Sequence, residues 1–145
     1  MKVKSYPASE RGHANHGWLD AKHSFSFASW YDSDKVNFGA LRVLNDDTIA
    51  AGMGFGEHPH ENMEIVTIPL AGRIEHKDSM GHGEVLASGE VQVMSAGTGI
   101  RHSEFNPDNH QNTQLFQIWI FPRQEGNTPA YGQKHFPQEQ RKGLW

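Results

Sequence analysis

The stretch GMGFGEHPHENMEIVTIPLAG, residues 52–72, decides the fold, because it combines glycine turns, two closely spaced histidines and a segment rich in β-branched residues. His58 and His60 are separated by one residue, and side chains two apart on an extended strand point to the same face. The two imidazoles can therefore converge on one ion, and Pro59 between them limits the backbone freedom lost on binding. Counting on by twos places Glu64 on the same face if the strand is continuous, where its carboxylate can be a ligand, support a ligand or accept a proton.

A second stretch, GEVQVMSAGTGIRHSEFN at residues 89–106, carries a matching pair. His102 and Glu104 again stand two apart, after a strand and a glycine-rich turn. By themselves, His58 and His60 also fit an exposed loop without a function, but two matching pairs favour a metal site. Three histidines and one carboxylate would leave coordination positions open on the ion, as a catalytic metal site requires.

The rest of the chain predicts an all-β fold. Fifteen glycines and seven prolines interrupt it at short intervals, leaving segments too short for helices but suitable for strands. The predicted strands are residues 39–44, 48–55, 64–69, 73–77, 85–87, 90–94, 101–105 and 114–121. A turn at residues 45–47 separates the first two, and the last, QLFQIWIF, is expected to be buried on both faces. Many short strands are typical of a sandwich or barrel of the jelly-roll type.

The composition of the 145-residue chain restricts its location and partners. The net charge is -4 with histidine neutral, and the 13 lysines and arginines are scattered, so direct binding of nucleic acid is not predicted. No apolar run approaches the length of a membrane span, and the first residues lack the apolar segment of a signal peptide. We therefore expect a single domain in the cytoplasm that contacts neither nucleic acid nor membrane.

Cysteine is absent from the sequence, which excludes disulfides, thiolate nucleophiles, iron–sulfur clusters and thiolate zinc sites. With ten histidines in the chain, a metal must be held by imidazole and carboxylate groups. Such sites suit iron, nickel, copper, manganese or zinc better than calcium. Four histidines have no partner at ligand spacing and are expected to be solvated: His76, His82, His110 and His135. Three others in the N-terminal arm are expected to be surface or packing histidines: His13, His16 and His23.

Three segments are predicted along the chain. Residues 1–35 are expected to form an irregular arm packed on the barrel, residues 36–122 the barrel core with the metal site, and residues 123–145 a polar tail or linker broken by glycine and proline.

Longer motifs resemble those of a known family. The spacing of Gly52, His58, His60, Glu64 and Gly72 is similar to the first cupin motif. The following segments resemble pirins of the cupin superfamily: HSFSFASWYD at 23–32, HPHENMEI at 58–65, MSAGTGIRHSE at 94–104 and LFQIWIFP at 115–122. The resemblance runs through nearly the whole chain and implies a cupin-type jelly-roll β-barrel, a double-stranded β-helix.

The resemblance also implies a site and two alternative functions. It implies one divalent metal per chain, iron(II) in most members, held by residues matching His58, His60, His102 and Glu104, with nickel, manganese, copper or zinc as other candidates. Glu64 is then the candidate catalytic residue beside the ligands. One implied function is the oxygen-dependent ring opening of flavonols such as quercetin, and the other is a non-catalytic, redox-sensing iron module that binds a transcription regulator.

One departure from the family pattern concerns length. Pirins ordinarily contain two cupin domains, and this sequence carries the pattern of the first one only. We expect a homodimer, because a domain without its usual neighbour exposes apolar surface and strand edges, and the tail ends in Leu144 and Trp145.

Overall fold

A computed structural model describes residues 5–137 of the chain, which form eleven strands and one short 3-10 helix, Ala8–Glu10. The strands are β1 (Gly12–Asn15), β2 (Leu19–His23), β3 (Leu41–Ile49), β4 (Gly54–His60), β5 (Glu64–Ala71), β6 (Arg73–Asp78), β7 (Gly83–Ala87), β8 (Glu90–Ser95), β9 (Ile100–Phe105), β10 (Thr113–Ile120) and β11 (Ala130–His135). The prediction of an all-β domain is confirmed. Within the described residues, no helix has the length and apolar character needed to cross a membrane.

The strands form two antiparallel sheets. The large sheet has the order β1-β2-β3-β10-β5-β8-β11, and the small sheet has the order β4-β9-β6-β7. Side chains from both sheets meet in the core, where Leu19 and Ile49 of the large sheet pack in one cluster with Ile74 and Leu86 of the small sheet. This closure of two curved sheets around one interior is the jelly-roll arrangement that the strand pattern predicts.

The predicted turn at residues 45–47 is wrong. Strand β3 runs without interruption from Leu41 to Ile49, and it is paired on one side with β2 and on the other with β10. Asn45 and Asp47 point into the interior, where both are buried. The local turn propensity of residues 45–47 is overridden because pairing on both sides fixes this backbone as a strand. In the interior, Asn45 also forms a hydrogen bond with His23.

The segments expected to be irregular also contain strands. β1 and β2 extend the large sheet at one edge through β3, and β11 pairs with β8 at the other edge. These strands are short, and β1 and β11 contain a glycine, so the local sequence gives only a weak strand signal and long-range pairing orders them. The prediction for Leu144 and Trp145 lies outside the described residues, and the segment boundaries at 35 and 122 stay predictions.

Strand β10 lies at the centre of the large sheet, and its inner face is more deeply buried than its outer face. On the outer face, Phe116 and Ile118 are half-buried, so the expectation of burial on both faces is wrong for this side. The pairing register places Ile118 beside Leu44 and Val66, and Val66 beside Val93. We call this set the outer apolar stripe: Leu44, Val66, Ile68, Val93, Phe116 and Ile118.

Candidate metal centre

The side chains of three histidines come together on one face of the small sheet. β4 and β9 pair with His58 opposite His102, and His60 follows two residues along β4 on the same face. The ring centroids of His58 and His102 lie 4.4 Å apart, and those of His60 lie 4.8 Å from each of the other two. One ring nitrogen from each histidine lies within 4.8 Å of the other two nitrogens, and in the described part of the chain this is the cluster suited to a metal ion.

Hydrogen bonding leaves one ring nitrogen of His58 and one of His102 available to a ligand. His58 Nδ1 donates to the carbonyl oxygen of Gly56 at 2.8 Å, which leaves its Nε2 as the acceptor atom. His102 Nε2 is buried without a hydrogen-bond partner, which is costly unless another group, such as a metal ion, accepts its lone pair. Imidazole nitrogens suit iron, nickel, copper and zinc, so these residues fit a single divalent metal ion.

The electrostatics favour the neutral forms of His60 and His102. Burial, aided by His58, lowers the pKa of His60 to about 4. Burial, together with the three neighbouring histidines His58, His60 and His76, lowers the pKa of His102 to about 3. A metal competes with protons for these nitrogens, so lowered pKa values keep the ligand atoms free near neutral pH.

Glu104 lies two residues after His102 on β9 and is buried, with 2% of its surface exposed. Its carboxylate accepts hydrogen bonds from Gln117 Nε2 at 2.8 Å and from Thr67 Oγ1 at 3.4 Å. Burial raises its pKa, while the bond from Gln117 opposes that shift. Glu104 lines a cavity of about 160 Å³ together with His58 and His60, although its oxygens are not among the ligand atoms lying within 4.8 Å of one another.

Glu64 does not line the histidine cavity. The condition under which Glu64 would share a face with His58, a continuous strand, is not met, because β4 ends at His60 and β5 begins at Glu64. Between them the chain turns at Asn62, whose φ of 49° lies in the left-handed region. The Glu64 carboxylate accepts a hydrogen bond from Ser95 Oγ at 2.7 Å, and the residue is absent from the lining of the histidine cavity. Its catalytic role stays a prediction.

A row of buried polar side chains crosses the inner face of the large sheet opposite the histidines. Successive pairings along one register row define this inner polar row: His23, Asn45, Gln117, Thr67 and Gln92. Each of the five is at most 9% exposed. The sequence analysis missed it, although a single glutamine inside each of the apolar segments 90–94 and 115–121 was the available signal.

Behind His102 lies a second layer of polar groups. The Nδ1 atoms of His102 and His76 are 3.3 Å apart, and His76 Nε2 lies 3.0 Å from Asp78 Oδ2. The same Asp78 oxygen lies 2.9 Å from His82 Nδ1. The ring of Tyr131 stacks on His76 and His82, with centroids 4.8 and 4.7 Å away. The expectation of a solvated His76 is wrong, since it has no exposed surface.

This arrangement orients His102. When neutral His76 donates from Nε2 to Asp78, its Nδ1 is an acceptor, so His102 must donate from Nδ1 and present the lone pair of Nε2. A carboxylate that fixes a histidine's tautomer and ring orientation in this way supports metal affinity.

We expect Asp78→Asn to weaken metal binding about 10- to 100-fold, because the hydrogen-bond chain from His102 through His76 to Asp78 loses its charged acceptor. The measurement is a competition titration of the metal-free protein against a chelator. Glu75→Gln is the matched control, because Glu75 lies on the same strand and pairs with exposed Lys77 instead. Equal metal affinities for Asp78→Asn and wild type would show that this hydrogen-bond chain does not act on the metal site.

Comparisons with known proteins agree with this arrangement. A family model described as Pirin matches residues 5–120. A protein named Quercetin 2,3-dioxygenase from Escherichia coli strain K12 is 58% identical to the chain over 137 residues, which are 94% of this chain and 59% of that protein. The chain thus spans about three-fifths of the length of this curated relative.

Solved structures show the same fold. A bacterial pirin, YhhW from Escherichia coli, solved in complex with nickel(II), has a TM-score of 0.88 and 58% identity; the match covers 90% of this chain and 56% of that one. A cupin domain from Schizosaccharomyces pombe has a TM-score of 0.58 at 13% identity, covers 83% of this chain and 76% of its own, and shows a likeness of fold alone. The expected cupin-type barrel is confirmed.

Proposed function

Because this chain belongs to the Pirin family, we propose that it binds one divalent metal ion, iron(II), and acts as a dioxygenase of flavonols such as quercetin. The single observation that carries the proposal is the cluster of three imidazoles, with the buried Nε2 of His102 left without a partner. The name of the 58% identical relative supports the substrate class. Nickel, manganese, copper and zinc are alternative metals, and nickel has support from the nickel(II) complex of the related pirin.

The proposed ligands are His58, His60, His102 and Glu104. A bound divalent ion would lower the pKa of a substrate hydroxyl and bring the substrate next to dioxygen. Three neutral imidazoles and one carboxylate leave a net positive charge at such a site, which favours a phenolate over a phenol.

The protein groups around the histidines have separate tasks. Gln117 and Thr67 hold Glu104 by hydrogen bonds, so the carboxylate is fixed before any ligand arrives. The Trp119 ring packs edge-on against His60 with centroids 4.9 Å apart, and Trp119 Nε1 donates to Gln117 Oε1 at 3.1 Å. These contacts restrict the positions of His60 and Glu104.

The test is oxygen uptake by iron-loaded protein supplied with quercetin at neutral and mildly alkaline pH. We expect turnover that stops on chelation, because the proposed reaction needs a metal ion at the histidines to activate the substrate. An iron-replete sample without oxygen uptake would contradict the proposal and favour the module that binds a transcription regulator. Glu64→Gln, compared at equal iron content, tests whether that carboxylate affects turnover.

We also propose that the chain forms a homodimer through the outer apolar stripe. A sheet face exposed to water is normally polar, whereas Phe116, Ile118 and Val66 form an apolar centre and Val93 is 43% exposed. Sedimentation velocity should show dimers that dissociate in the Ile118→Lys variant, while Thr48→Lys on the same face is the control. A wild-type monomer at high concentration would contradict this proposal.

A further inference from the structure

A second cavity adjoins the histidine cavity. It has a volume of about 420 Å³ and lies between β2, β3 and the aromatic side chains of Trp18, Phe27 and Phe55. Phe27, Phe55 and Gln117 line both cavities, so the two spaces are neighbours with common walls. We call this space the side cavity. Its volume is in the range of sites that hold small organic molecules.

The buried polar side chains of the side cavity bond to one another or to Glu104, with the exception of one carboxyl oxygen of Asp47. His23 Nδ1 and Asn45 Oδ1 are 2.9 Å apart and bond to each other, and Gln117 bonds to Glu104. Asp47 is only 3% exposed, and its Oδ1 has no hydrogen-bond partner among the described residues. A buried carboxyl oxygen without a partner is costly to the fold, so its retention in a cavity wall points to an external partner.

The charges around Asp47 indicate what that partner is. Burial, and next the charge of Glu104, raises the pKa of Asp47 to about 7. Neither lysine nor arginine lines the side cavity, so an anionic ligand would meet carboxyl groups without a compensating cation. A hydroxyl group suits this position, because it can donate to a carboxylate and accept from a protonated acid.

The apolar walls indicate the shape of the ligand. The rings of Trp18 and Phe55 meet edge-to-face with centroids 5.2 Å apart. Phe27, which lines both cavities, meets Trp119 of the histidine cavity edge-to-face at 5.4 Å. Aromatic side chains in these orientations present faces and edges to a planar ring, which adds specific contacts to the burial of apolar area.

We propose that the side cavity binds a neutral hydroxylated aromatic ring whose hydroxyl group forms a hydrogen bond with Asp47. The inference rests on the proposed function, because the rest of the same flavonol would then pass Phe27, Phe55 and Gln117 to reach the histidines. Asp47 is accordingly a specificity-determining residue that acts on the end of the substrate remote from the metal.

The test uses metal-free protein and two probes that differ by one group, 7-hydroxyflavone and flavone, with affinities measured by isothermal titration calorimetry. Wild type should bind 7-hydroxyflavone about tenfold or more tightly than flavone, which corresponds to a hydrogen bond with a charged or polar buried group. In Asp47→Leu, which keeps the branch at Cγ and removes the polar atoms, this preference should disappear while flavone binding persists. Asp47→Asn should retain part of the preference.

Asp46→Asn is the matched control, because Asp46 is the neighbouring residue on β3 and its carboxylate bonds instead to Arg11 and Gln114. It should keep the wild-type preference. An equal preference for the hydroxylated probe in wild type and Asp47→Leu overturns the inference, as does the absence of any preference in wild type. The assay contains neither metal nor oxygen, so its failure is separate from a failure of quercetin turnover.

Discussion

His60→Ala is expected to purify without bound metal, whereas wild type should carry about one divalent ion per chain. His60 supplies one of the three converging nitrogens, and no other described histidine, aspartate or glutamate joins the cluster to replace it. The loss in affinity should exceed the roughly 10- to 100-fold effect of changing a group that only supports a ligand. The measurements are elemental analysis of freshly purified protein and a chelator competition titration.

His110→Ala is the control for this experiment, because His110 is exposed and lies in the loop before β10. His58→Ala and His102→Ala should each behave like His60→Ala, since the three side chains form one cluster. Unchanged metal content in His60→Ala would show that the proposed ligand set is wrong. Thermal melting of each metal-free variant separates loss of a ligand from loss of the fold.

The meeting of the three histidines could be predicted from the sequence because it depends on short-range geometry. His58 and His60 share a strand face through a spacing of two, and the pair at His102 and Glu104 has the same spacing. The structure supplies the one long-range fact, the pairing of β4 with β9 that sets His58 opposite His102.

The position of Glu64 could not be predicted from the same spacing. Counting by twos holds only inside one strand, and the chain leaves β4 after His60. Asn62 adopts a left-handed backbone, its N–H donates to the carbonyl of Gly97 at 2.9 Å, and its Oδ1 accepts from the N–H of Gly126 at 2.7 Å. These distant partners turn the chain, and a local pattern contains no information about them.

The polar interior of the barrel could not be predicted from the sequence for a related reason. Asn45 and Asp47 carry strong local turn signals, and only the neighbouring strands show that they face inward. Gln117 and Thr67 gain their significance from Glu104, which reaches them from the other sheet. Polar residues that break local rules in a barrel interior are therefore candidates for the functional site.

Asp47→Asn is expected to stabilise the metal-free protein increasingly as the pH rises. Burial raises the pKa of Asp47 from 3.8 to about 7, so between these pH values the folded protein holds a proton that the unfolded chain has released. The free energy of unfolding of wild type therefore falls as the pH rises through this interval, and the penalty is complete above about pH 7. Its upper limit is about 4 kcal/mol, which the uncharged asparagine avoids.

The difference between variant and wild type isolates this effect from the histidines, which act in the opposite direction. Lowered pKa values at His60 and His102 contribute stability above pH 6.5 that is lost as the pH falls toward 4 and 3, equally in both proteins. Urea unfolding across the pH range should thus give curves that diverge with rising pH. Asp46→Asn should diverge from wild type much less, because it removes only one of the smaller charge effects on the Asp47 pKa and leaves the buried carboxyl group in place. Parallel curves for Asp47→Asn would mean that the buried carboxylate has a compensating partner. Divergence would show that Asp47 lowers the stability of the fold from its position in the side cavity. Residues that serve binding commonly have this effect.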